Sequence, residues 1–201
     1  MGYVHFNLVN SGDCGGMAPA ALPGGGFGVA AVPAGLPAAP GTYIIVNTAT
    51  HNRYVGISGN LFNRFNTGRL PTITEMGFPA ATMQNIWVTW GETHVRDTAP
   101  ALFPGALLVA PTPGFAIVAP APPAAFTTLI DGVAVNLEQL LIRFVLTQLG
   151  AGGTVSNNAM AFAAYVNPTP NPILVQLSWG VIGLFGAGNH QAVWPVGGGG
   201  W

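Results

Sequence analysis

Residues 41–66, GTYIIVNTATHNRYVGISGNLFNRFN, constrain this chain more than any other stretch. Residues 41–47 are rich in Tyr, Ile and Val and read as a strand. Residues 48–52 are a polar turn, and residues 53–57 read as a second strand, so a β-hairpin is expected. Ser58 stands where an N-cap would open a short helix over about residues 59–66. Two tyrosines, Tyr43 and Tyr54, lie one on each strand and each is close to a glycine. As a purely local arrangement they would be cross-strand aromatic partners.

The flanking sequence is different in kind. Residues 1–40 form a Gly/Pro/Ala-rich lead in which prolines and glycines forbid long helices. Residues 85–93 (NIWVTWGET) are a third strand candidate. Residues 98–130 carry no charge and many prolines, and read as an insertion of extended segments and turns. Residues 136–149 (NLEQLLIRFVLTQL) repeat apolar side chains at helical spacing and are the clearest helix. Residues 166–201 alternate apolar pieces with Gly and Pro, and read as a second arm.

Charge narrows the function classes. Charged residues are 5% of the 201, against about 25% in ordinary soluble domains. The basic residues are five arginines, with no lysine, and no charge occurs from Phe144 to Trp201. A large basic patch for non-specific DNA binding is excluded. A surface so poor in charge does not rely on repulsion to stay monomeric; it is buried against further copies of the chain, buried against a partner or membrane, or wetted by Ser, Thr, Asn and backbone, and a homo-oligomer or higher assembly through the apolar arms is expected. Cys14 is alone, which excludes an internal disulfide and a cysteine metal cluster. The four histidines lack ligand spacing. The start MGYVHF is unlike a signal peptide. The longest apolar run, 173–186, is too short for a transmembrane helix of about 20 residues.

The hairpin and helix together resemble the GIY-YIG nuclease family. Gly41-Thr42-Tyr43 is similar to the first half of its motif and Tyr54-Val55-Gly56 to the second. Ser58, Asn60, Leu61 and Arg64 fit the S-x-N-L-x-x-R pattern that follows. Glu138 stands where the family places its metal-binding glutamate, and Asn157 or Asn158 fits its terminal asparagine. The matched residues fall in 41–66 and 135–160, and the gap between Arg64 and Glu138 is longer than the family usually shows.

This resemblance implies an α+β fold: a three-stranded antiparallel sheet with flanking helices over residues 41–165, between the two arms and interrupted by the insertion. It also implies metal-assisted hydrolysis of phosphodiester bonds in DNA or RNA. Tyr43 would be general base or water positioner, with Tyr54 in the same hydrogen-bond network. Arg64 would neutralise charge building on the phosphate. Glu138 would hold Mg²⁺ or Mn²⁺, and Asn157 or Asn158 would orient a loop beside the site. Plainer readings stand beside these: Arg64 and Glu138 as one buried ion pair, and Asn157-Asn158 as a turn. The alternative for the whole chain is a self-assembling structural protein, a filament or shell subunit retaining a relic site, whose arms lie on neighbouring copies.

Overall fold

The computed structural model describes residues 1–14, 17–18, 28–29, 33–66, 84–96, 116–117, 127–149, 155, 157, 165–183 and 186–197. Their strands are β1 (Gly2–Asp13), β2 (Met17–Ala18), β3 (Gly28–Val29), β4 (Gly41–Asn47), β5 (Arg53–Ser58), β6 (Ile86–Arg96), β7 (Ala116–Ile117), β8 (Thr127–Ile130), β9 (Val133–Asn136), β10 (Ile173–Trp179) and β11 (Gly188–Trp194). Two helices accompany them, α1 (Leu61–Asn66) and α2 (Leu137–Gln148).

One seven-stranded mixed sheet dominates, in the order β11-β10-β1-β6-β4-β5, with short β7 pairing on β6. β1 runs parallel to β10, from Gly2 opposite Ile173 to Leu8 opposite Trp179. The pairings of β1 with β6, β6 with β4, β4 with β5, and β10 with β11 are antiparallel. Two-stranded sheets are formed by β2-β3 and β8-β9. The β8-β9 turn is Asp131-Gly132, both at positive φ (51° and 75°), the conformation that an Asp-Gly hairpin turn supplies.

Alternation along the strands makes two cores. Val4, Phe6, Leu8, Ile44, Val55, Ile57, Val175 and Leu177 pack beneath α2, which contributes Leu137, Leu140, Leu141, Phe144 and Val145. Tyr43, Ile45, Ile86, Val88 and Trp90 form the other core with Leu61 and Phe65 of α1. Fully burying each such side chain stabilises by about 1.5–3 kcal/mol, so both helices are held chiefly by these contacts. Asn136 caps α2, its side-chain oxygen accepting from the Gln139 N–H at 2.9 Å. No helix among the described residues is long and apolar enough to cross a membrane.

The expected α+β fold, a three-stranded sheet with flanking helices between two arms, is overturned. The molecule is mostly β, and both supposed arms supply strands of its main sheet. Within the Gly/Pro/Ala-rich lead, residues 2–8 alternate apolar Val4, Phe6 and Leu8 with Tyr3, His5 and Asn7, a strand pattern, and the packed sheet buries both of its faces. The average composition of residues 1–40 conceals it. Its parallel partner β10 lies at the far end of the chain, and parallel pairing over such a separation leaves no turn signal to read.

Candidate active site

The hairpin register places the two tyrosines. Tyr43 faces Gly56 across the β4-β5 pair and Tyr54 faces Ile45. Tyr43 and Ile45 share a face of β4, so their partners Gly56 and Tyr54 share that face of β5. The phenol rings are 6.5 Å apart between centroids, tilted by 30°. A Cβ on Gly56 would fall inside contact distance of the Tyr43 hydroxyl and only 2.8 Å from its Cε1. Glycine is required there because the Tyr43 ring lies across the β5 backbone.

Helix α1 covers this face. Its cap is Asn60 rather than the expected Ser58: the Asn60 side chain accepts from the Asn63 N–H at 2.8 Å. The Ser58 hydroxyl instead bonds the Asn60 backbone, at 3.1 Å to N and 2.9 Å to O. The first free amides of the helix, Leu61 and Phe62, donate to the carbonyls of Ala39 and Pro37 at 2.9 and 3.0 Å. Leu61 and Phe65 turn into the core, and Phe65 meets Tyr43 edge-on with centroids 5.2 Å apart. Arg64 points at the phenols: its Nε donates to the Tyr43 hydroxyl at 3.0 Å, and it also hydrogen-bonds Tyr54.

The remaining residues arrive at the outer edge of β5. In the first turn of α2, the half-buried Glu138 carboxylate accepts from the Ile57 backbone N–H. Two residues along the strand, the Asn157 side chain takes both backbone groups of Val55: Oδ1 accepts from its N–H and Nδ2 donates to its carbonyl, each at 2.8 Å. Arg53 forms a parallel bridge with Val155. The outward backbone positions of this edge strand, 53, 55 and 57, are thus each met by residues far along the chain. Tyr43, Tyr54, Arg64, Glu138 and Asn157 come together around β5. Asn158 lies outside the described residues.

Burial dominates the electrostatics. It pushes the Tyr43 and Tyr54 phenols above their ordinary value near 10, with the Arg64 charge opposing it at both. Burial also raises Glu138, against the pull of Arg64 and the Ile57 N–H. Among the described residues, Arg64 and Glu138 do not close into a direct ion pair. Tyr43 is 0% exposed, so it is enclosed behind Arg64, while Tyr54, Arg64 and Glu138 are half-buried. No group of three or more His, Cys, Asp or Glu able to hold a metal occurs among the described residues. One carboxylate does not suit a metal that needs several nitrogen or sulfur ligands. It does suit Mg²⁺ or Mn²⁺, since Mg²⁺ keeps several waters and is bound through one or two carboxylates plus phosphate oxygens.

One polar group escaped the sequence reading. His5 and His94 lie directly opposite one another on β1 and β6, their rings 6.1 Å apart. His5 Nε2 is 3.0 Å from the Ser178 hydroxyl, and His94 pairs with Glu92 at 3.4 Å. The alternation Tyr3-x-His5-x-Asn7 was the available signal. No protein-family model, curated protein or solved structure matches the chain.

Proposed function

We propose that the chain is a metal-dependent endonuclease, with the site chemistry of GIY-YIG nucleases carried on a larger, mostly β protein. The observation behind this reading is the convergence of Tyr43, Tyr54, Arg64, Glu138 and Asn157, from segments more than a hundred residues apart, on one edge strand. Arg64 meets the scissile phosphate and offsets its developing negative charge, for which a planar guanidinium is suited. Tyr43 orients Arg64 from behind through its 3.0 Å bond. With its phenol raised by burial, Tyr43 keeps its proton at neutral pH and is a positioning residue rather than a base. Tyr54, the more open phenol, holds the attacking water. Glu138 would hold Mg²⁺ or Mn²⁺, which would supply stabilisation of charge on the leaving oxygen. Asn157 keeps β5 straight beneath the site.

The test is nicking of supercoiled plasmid by the purified protein in Mg²⁺ or Mn²⁺, beside Glu138→Ala and with a single-stranded RNA arm. The expected result is cutting that chelator abolishes and that falls a hundredfold or more in the mutant, on the order of other lost electrostatic contributions. A folded wild type that cuts neither substrate, or a mutant that cuts equally well, refutes the reading. The self-assembling structural protein then becomes the leading account, supported by the scarcity of charge.

A further inference from the structure

Successive residues of β5 point to opposite faces. Tyr54 faces the site just described, and Arg53 faces the other side, where it lines a cavity of about 320 Å³. Leu149, Leu177, Trp179 and Ile182 make its apolar walls, and His51 of the hairpin turn lines it too. Among the described residues the Arg53 side chain has no hydrogen-bond or ion-pair partner. Its Nη1 is closed off from water with no partner. Desolvation weakens its charged form, and no carboxylate among the described residues offsets this. None of the described lining residues is acidic.

An unpaired guanidinium in such surroundings is costly. Buried charges are ordinarily paired or hydrogen-bonded, because water's solvation of the ion is lost and something must replace it. Among the described residues nothing takes that place. The cavity volume falls within the range of small-molecule sites, which are mostly apolar walls with a few placed polar groups. We propose that this cavity binds a small amphipathic organic anion, its carboxylate on Arg53 and its apolar body against Trp179, Leu177 and Ile182. The cavity is on the sheet face that packs beneath α2, opposite from Arg64 and towards the far end of α2 from Glu138, and its occupancy does not depend on the endonuclease reading.

Calorimetry on the full chain tests this with octanoate, hydrocinnamate and indoleacetate, each beside its neutral primary amide, and with inorganic phosphate. At least one carboxylate is expected to bind saturably with one-to-one stoichiometry. Its amide, and the same carboxylate with Arg53→Gln, should bind at least tenfold more weakly, as loss of a charge-assisted hydrogen bond requires. Phosphate should not bind at millimolar concentration. The proposal is overturned if none of the carboxylates binds at millimolar concentration, if the amide binds equally well, or if Arg53→Gln leaves affinity unchanged. Phosphate binding as tightly as the carboxylates also overturns it, because the apolar walls would then contribute nothing. Arg53→Met covers the case of a poorly folded glutamine variant. Replacing a half-buried guanidinium whose Nη1 is unpaired by an apolar chain should raise the ligand-free Tm and abolish the ligand-induced rise. A lowered Tm with the ligand response intact would show that Arg53 serves the fold instead.

Discussion

Asn157→Ala is the most direct probe of how the site is held together. The side chain makes two hydrogen bonds, 2.8 Å each, to the N–H and C=O of Val55. Val55 is 0% exposed, and these backbone groups face outward from an edge strand. Each bond contributes about 1 kcal/mol net, and a group left without a partner costs about 1–3 kcal/mol. Water can reach part of this edge once the amide is gone, so the sum is taken at about 2 kcal/mol rather than the upper limit. For a chain of this size that corresponds to a fall in Tm of about 4–8 °C. Urea unfolding measures the free energy, and hydrogen exchange reads the Val55 amide directly. Its protection should fall by an amount that matches the local loss. Asn157→Asp separates the two bonds: it keeps an acceptor for the Val55 N–H but sets a carboxylate oxygen against the Val55 carbonyl. It should therefore preserve amide protection better than alanine while still destabilising. A loss below about 0.5 kcal/mol in Asn157→Ala, with the Val55 amide unchanged, would refute the claim that this side chain pins β5.

Gly56→Ala should destabilise by about 1–3 kcal/mol through overpacking, because the added methyl meets the enclosed Tyr43 ring; denaturant midpoints check this, and an unchanged midpoint would mean the ring has room to move. Tyr43→Phe strips the acceptor from Arg64 Nε and should lower nicking without abolishing it, whereas Arg64→Ala should lower it a hundredfold or more; equal losses would place Tyr43 in direct contact with substrate. Stability should fall on acidification because of His5. Burial, then repulsion from His94, holds its pKa down from 6.5 to about 4. The unfolded chain therefore takes up the proton first. The stabilisation is complete above about pH 6.5 and is lost as pH falls towards the folded value near 4. At about 1.4 kcal/mol per pH unit the interval caps the effect at roughly 3 kcal/mol. Urea unfolding of wild type and His5→Gln across this range should differ in slope, and parallel curves would contradict the assignment.

The hairpin over β4 and β5, the third strand and the long helix were legible from the chain alone. Strand runs bounded by polar turns, and apolar residues at helical spacing, are short-range signals. Tyr43, Tyr54, Arg64 and Glu138 stood out through the resemblance to the GIY-YIG motifs, not through local strand or helix signals. Asn60 rather than Ser58 as the helix cap was a near miss, since both are good caps and only the hydrogen bonds to Asn63 and Asn60 tell them apart. The Asp131-Gly132 turn carries a readable hairpin signal just beyond the Pro-rich stretch of residues 98–130.

Non-local pairing was beyond the reach of such signals. Nothing in residues 2–13 states that they run parallel to residues 173–179, because strand pairing across most of the chain is chosen by competition among all exposed edges and apolar faces. That choice turned two supposed arms into the middle and the far edge of a seven-stranded sheet. It set His5 opposite His94. It also enclosed Tyr43 and left Arg53 without a counter-charge among the described residues, because burial and desolvation belong to the packed molecule and not to any one segment. Local side-chain chemistry is written residue by residue along the chain, but the environment that sets its charge, reach and partners exists only once distant strands have met.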